Sequence, residues 1–239
     1  MRRVSVVVIG NSVGIRVRPP LPVPENLSYS QLLEGLISDL SDDLVGHVEN
    51  MSYHAQLIRD VEESMETYIT RLPHFYILNL GVVDASSREI PFWYYTIQEN
   101  SRSLTGKFLS MFHARVISKN RRFFVKLRGC RSWVTPDAFS RSYDRVMEIL
   151  LKETNARIIT MGINPGSQRI ENSLPGSLSK YVSYSERIKL IAEKHGQVFI
   201  DMADLLTHED HPDGIHFSAE GHRKVAKRLF EEIKTQWQS

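Results

Sequence analysis

The chain has 239 residues, of which 41% are hydrophobic and 24% charged, with a formal net charge of +2. That composition fits a globular domain with a full core and excludes a disordered tail, a collagenous fibre and a disulfide-stapled miniprotein. The near-balanced charge singles out no partner, and a lone cysteine, Cys130, allows no internal disulfide and agrees with a reducing compartment.

Val4 to Ile9 is a short β-branched run leading into Gly10-Asn11-Ser12, too short for a secretory core, and reads as a buried first strand. No apolar run approaches the roughly 20 residues of a spanning helix, so the expected address is cytoplasmic with no transmembrane segment. Pro19 to Pro24 forms a stiff extended loop. Helical spacing over Tyr29–Leu40 is followed by a strand at Leu44–Val48, a helix at Tyr53–Leu72 and a strand at His74–Leu80. Further on, Thr135 caps a helix over Pro136–Glu153, with proline at its first position. A strand at Arg157–Ile163, a helix over Leu178–His195 stopped by Gly196 and a strand at Gln197–Asp201 come next. Ser218 caps the closing helix, Ala219–Trp237. Five strands alternating with helices predict a three-layer α/β/α domain spanning 1–239, built on a five-stranded parallel sheet.

Residues 85–135 separate the third strand from the next helix by far more than an ordinary connection. Nine of the chain's thirty basic residues and none of its twenty-eight acids fall between Arg102 and Arg131, leaving the remainder with a net charge of −7. Phe108, Phe112, Phe123 and other apolar residues are interleaved with them. Because the segment leaves the carboxyl end of a strand, a lid or substrate-recognition subdomain is the first expectation. A dimer contact, a membrane-surface helix, a nucleic-acid platform or ordinary helix packing are the alternatives.

In a parallel sheet, reacting groups lie beyond the carboxyl ends of the strands, which draws attention to Ser12. Small polar residues are also common in such turns. Asp213-Gly214-Ile215-His216 places an aspartate and a histidine three residues apart on one loop. A serine hydroxyl needs a base to remove its proton, and the base needs a carboxylate to fix its tautomer. Taken alone, the pair also reads as a turn aspartate and a loop histidine. His222 reads as a packing or capping residue. His208, Asp210 and His211 imitate a metal cluster, but no second cluster at ligand spacing accompanies them, so no metal is expected. Arg16 and Arg18 follow Ser12 closely, where guanidinium groups would clamp an anionic substrate or simply be solvated.

These blocks resemble the SGNH or GDSL hydrolase family. Gly10-Asn11-Ser12 is similar to its first block, with asparagine where the pattern has aspartate. Asn79-Leu80-Gly81-Val82-Val83-Asp84 is similar to its third, and the run from Asp213 to His222 to its last. The resemblance implies a flavodoxin-like fold with Ser12 as nucleophile, His216 as base and Asp213 as orienting carboxylate, no metal or organic cofactor, and hydrolysis or transfer of acyl groups on esters. Two departures stand out. Val83 occupies the position of the third-block asparagine, an oxyanion donor, and the second-block glycine has no clear counterpart. Substitute donors are sought at Ser12, Ser52, Tyr53, Gly81 and Asn164. The third block also resembles a branch associated with polysaccharide biosynthesis, which implies an O-acylated carbohydrate or anionic glycolipid substrate. The competing expectation is a catalytically weakened binding protein for an anionic glycan, lipid or nucleic acid, with nucleic acid the less favoured. A nucleotide-binding domain is disfavoured because Gly10-Asn11-Ser12-Val13-Gly14 lacks the spacing of a phosphate-binding glycine signature.

Overall fold

The computed structural model describes residues 2–100 and 104–238, so Arg102 of the basic run lies outside it. Its strands are β1 (Arg2–Gly10), β2 (Leu44–Ser52), β3 (Phe75–Asn79), β4 (Arg157–Met161) and β5 (Val198–Ile200). All pair in parallel, in the order β2-β1-β3-β4-β5. The helices are α1 (Tyr29–Ser38), α2 (Ile58–Glu63), α3 (Met65–Ile69), α4 (Val82–Ala85), α5 (Phe92–Asn100) and α6 (Leu104–Phe112). They continue with α7 (Arg121–Leu127), α8 (Pro136–Glu153), α9 (Gln168–Ser173), α10 (Ser177–Lys194), α11 (Met202–Leu205) and α12 (Ala219–Gln238). Among these residues no helix is long and apolar enough to cross a membrane.

The sheet is buried on both faces, as continuous apolar runs such as Val6 to Ile9 and Phe75 to Leu78 require. Helices α1 and α12 pack together on one side, and α2, α8 and α10 on the other, giving the three-layer α/β/α arrangement. The order of strand addition reverses at β1, between β2 and β3, and this switch point opens a crevice at the carboxyl edge. Register sets what lines it: Gly10 lies opposite Ser52 on one side and Asn79 on the other.

Several boundaries follow local chemistry. Thr135 Oγ1 accepts from Ala138 N at 3.4 Å ahead of Pro136, and Ser218 Oγ accepts from Gly221 N at 3.1 Å at the start of α12. One element differs from its sequence expectation. The helix predicted over Tyr53–Leu72 starts only at Ile58 and breaks at Ser64, which leaves the helical region. The cause lies upstream: β2 stays paired with β1 through Ser52, and Tyr53 N donates to Gly10 O at 3.1 Å, so residues 53–57 form a turn. Within that turn Ala55 has φ +55, a left-handed conformation uncommon for a residue with a Cβ.

The segment after β3 is helical. Its foot is anchored to α10 by Ser87 N donating to Ser177 Oγ at 3.0 Å and by a 2.8 Å bond between Ser86 Oγ and Tyr181 OH. Lys180 Nζ donates to Ser87 Oγ at 2.9 Å and to Cys130 O. The Arg88 guanidinium lies 4.1 Å from the Trp133 ring centroid, and Trp133 Nε1 donates to Ile90 O at 2.9 Å.

Candidate active site

Ser12 begins a single 3₁₀ turn directly after β1. Asn11, 1% exposed, fixes that turn: its backbone N–H donates to Asn79 O at 3.3 Å and its Oδ1 accepts from Val13 N at 3.3 Å. Asn50 Nδ2 donates to Gly14 O at 2.9 Å, holding the turn's far end. The Ser12 amide, unlike its neighbours, meets no protein acceptor among the described residues.

The loop before α12 comes in from the other end of the chain. Gly214 has φ +106, and a Cβ there would lie 3.1 Å from Ile170 N, so glycine is required by both conformation and space. Ser167 N donates to Gly214 O at 3.0 Å, Arg169 to Pro212 O at 3.1 Å, and Arg18 N to Phe217 O at 2.8 Å. Phe217 is fully buried, with its ring centroid 6.5 Å from that of Tyr29 and 5.4 Å from that of His222. His222 Nδ1 in turn accepts from Tyr29 N at 3.0 Å, and burial lowers this histidine to about 4, so it is a neutral packing and capping residue.

These two loops bring Ser12 and His216 together across 204 positions, with Ser12 Oγ 3.0 Å from His216 Nε2. His216 Nδ1 is 2.8 Å from Asp213 Oδ2, while Asp213 Oδ1 accepts from His216 N at 2.9 Å and Ile215 N at 3.1 Å. Burial pulls the Asp213 carboxyl upward, but the imidazole and the two amides outweigh it and hold it well below the usual carboxylate range. With the carboxylate ionised, the ring proton sits on Nδ1 and Nε2 is left to accept from the serine hydroxyl. The arrangement can deprotonate Ser12 as it attacks an electrophile.

The other sequence-predicted residues divide. Ser52 N donates to Asn50 Oδ1 at 3.1 Å and Tyr53 N to Gly10 O, so both backbone amides are engaged and neither faces a substrate oxygen. Asn164 Nδ2 donates to Ile215 O at 2.7 Å, which makes it a support of the aspartate–histidine loop rather than an oxyanion donor. Gly81 takes φ +109, and a Cβ there would meet Ile163 and Phe139 at 3.0 and 3.1 Å, so it is needed for packing. Val83 is buried in the core and offers no donor. Arg18 Nε lies 4.0 Å from Asp213 Oδ2 and faces the carboxylate; Arg16 is exposed. Of the metal-like trio, Asp210 pairs with Lys224 at 2.8 Å and His211 Nδ1 donates to Thr207 O at 2.8 Å.

The turn after β2 supplies what spacing alone missed. The His54 and Ala55 amides meet no protein acceptor among the described residues, and the turn is tied to the strand end beside Ser12. Asp84, fully buried in α4, braces it from below by accepting from Ile58 N at 3.0 Å. Burial pushes the Asp84 carboxyl up to about 7, and its Oδ2 has no partner among the described residues.

No protein-family model and no curated protein sequence matches the chain. Solved structures do. An acetylxylan esterase of Geobacillus stearothermophilus is similar with a TM-score of 0.63 and 18% identity, covering 96% of this chain and 93% of that one. A lipase/acylhydrolase of Enterococcus faecalis gives 0.65 and 15%, covering 99% and 97%. An enzyme from the metagenome of Lake Arreo, Spain, gives 0.63 and 16%, covering 95% and 94%. The chain shares the fold of these esterases and acylhydrolases. In the Geobacillus esterase, the catalytic mutants replace a serine, an aspartate and a histidine. At the switch point of this chain a serine, a histidine and an aspartate also meet.

Proposed function

We propose that this protein is a serine-dependent ester hydrolase or acyltransferase that works through an acyl-enzyme on Ser12. The observation that carries the reading is the unbroken line from Ser12 Oγ through the His216 ring to Asp213. In the forward step Ser12 Oγ bonds to the ester carbonyl carbon and its proton passes to His216 Nε2. The tetrahedral adduct collapses, the C–O bond to the alcohol breaks, and His216 returns the proton to the departing oxygen. Water, or a second alcohol, then repeats the sequence on the acyl-enzyme and frees Ser12. Asp213 stays ionised and stabilises the imidazolium formed in each half.

The oxyanion created at each tetrahedral stage needs donors. The free Ser12 amide supplies one, and the left-handed turn at His54–Ala55 supplies the second from backbone, taking the place of the third-block asparagine that Val83 lacks. A left-handed alanine stores about 1–2 kcal/mol, a cost expected where a backbone group is aimed for a purpose.

The substrate we favour is an O-acylated carbohydrate or a related anionic ester. Exposed Arg16 on the nucleophile loop suits a negative group, and the fold is shared with an esterase of acetylated xylan. The decisive experiment is labelling with a fluorophosphonate followed by mass mapping, with turnover of acetylated sugars and aryl esters measured in parallel. Adduct on Ser12, and none in Ser12→Ala, is expected. Undiminished turnover in Ser12→Ala would refute the mechanism. Turnover should also fall on the acid side, since a protonated imidazole cannot take up the serine proton.

A further inference from the structure

Beyond the catalytic reading, one surface of the molecule has no use in the fold. The helical segment α5–α7 buries Ile117 and Val125 but turns several other large apolar residues outward. Trp93 and Ile97, one helical turn apart on α5, are 63% and 43% exposed. Phe108, Phe112 and Val116 follow at four-residue intervals along α6 and the turn after it, all exposed, and α7 adds Phe123 at 62% and Leu127 at 70%. Monomeric proteins seldom leave so many large apolar side chains exposed in one segment.

The same surface is cationic. Lys107, Arg115, Lys119, Arg122 and Lys126 are exposed, and none meets a carboxylate among the described residues. Arg121, by contrast, is paired with buried Glu89 at 2.9 Å, and Arg128 donates to Arg88 O at 2.8 Å. Arg121 and Arg128 therefore build the segment, while the other five hold no carboxylate among the described residues and only Arg115 bonds within it, to Met111 Sδ at 3.2 Å.

We infer that the exposed face of α5–α7 docks on an anionic lipid surface. Cations ringing aromatic and aliphatic side chains match negatively charged headgroups above hydrocarbon. RNA would answer the charge but not Ile97, Met111, Val116 and Leu127, which have no π-face for stacking bases. A second copy of this chain would answer the apolar residues but bring five like charges against five. The location is also telling. Arg59, four residues after Ala55, lies 3.8 Å from the Phe92 ring centroid at the start of α5. At the other end α7 packs against α9, whose Ile170 touches Gly214 of the aspartate–histidine loop. The surface thus flanks both loops of the site, and docking holds that end of the sheet against the membrane.

The test is co-sedimentation of the full chain with vesicles of phosphatidylcholine alone or mixed with phosphatidylglycerol. Binding is expected only to the mixed vesicles, weakened about a thousandfold by Arg115→Ser, Lys119→Ser, Arg122→Ser and Lys126→Ser combined, and lost at high salt. Tryptophan emission should move to the blue on binding, and Trp93→Phe should abolish that shift while leaving Trp133 and Trp237 in place. Turnover of a soluble aryl ester should be unchanged in both variants, and Ser12→Ala should still bind, so failure of docking and failure of the catalytic reading are told apart. No binding to mixed vesicles, equal binding to phosphatidylcholine alone, single-stranded RNA displacing the vesicles completely, or dimerisation that Phe108→Ser and Phe123→Ser abolish would each overturn the inference.

Discussion

The loops at the switch point and helices α5–α7 are neighbours through the Arg59–Phe92 contact and the packing of α7 on α9, yet they are built in opposite ways. Around Ser12 and His216 the connecting backbone is held by Asn79 and Asn50 at strand ends and by Asn164, Ser167 and Arg18 in neighbouring loops. In α5–α7 the bonds gather at the foot, on Ser86, Ser87 and Trp133, while the outer face offers apolar and cationic side chains to whatever lies beyond. Geometry that must be fixed before a reaction is secured by polar contacts to rigid strands. A surface meant to meet something soft needs only composition.

Breaking the pinned region should be costly. Ser12→Ala or His216→Ala is expected to reduce ester turnover by roughly 10⁴-fold or more with the thermal midpoint little changed. A loss below tenfold would mean the two side chains meet for another reason.

A test of stability comes next, at Asp84. Its folded value of about 7 lies above the unfolded carboxyl value near 4, so the folded state holds the extra proton and stability drops as pH rises from about 4 to 7. Asp84→Asn keeps an acceptor for Ile58 N and should raise stability at pH 8 by roughly 4 kcal/mol, read from urea unfolding curves at several pH values. His222 works in the opposite sense. Its depressed value of about 4 makes stability fall as pH drops from about 6.5 to 4.

Asn164→Ala sharpens the contrast at a smaller scale. Removing the amide that holds Ile215 O leaves a half-buried carbonyl without that partner and should cost about 1 kcal/mol. If Asn164 positions the loop, kcat falls while KM changes little; equal changes in both would place it on the substrate instead. The smallest effect belongs to the outer face of α5–α7, where Phe123→Ser and Leu127→Ser should change stability by no more than about 0.5 kcal/mol. A larger loss would show that this face packs against the body of the protein.

Much of the site was legible because it is local in chemistry even though distant in sequence. A serine just past a buried strand and an aspartate–histidine pair across a glycine each carry their own signal, and the parallel sheet supplies the rule that strand ends converge. What could not be read were roles set by a partner in three dimensions. Asn164 looks like any asparagine before proline until Ile215 O is found beside it, 51 residues on. Ser52 and Tyr53 looked free because helical periodicity began at Tyr53, whereas β2 runs through Ser52 and the Tyr53 amide then bonds to Gly10 O. The turn at Ala55 left no mark in periodicity at all, since alanine is an ordinary residue and only its φ is unusual. The amphipathic character of 102–131 was plain, but which side chains faced outward depended on α5–α7 folding back on α2 and α9.

The 204-residue span between Ser12 and His216 has a consequence for biosynthesis. During translation the strand bearing the hydroxyl leaves the ribosome 204 residues ahead of His216. Until the loop bearing Asp213 and His216 emerges and docks, the nascent protein carries a serine without its imidazole partner, so on the proposed mechanism a message cut short before that loop yields an inert fragment.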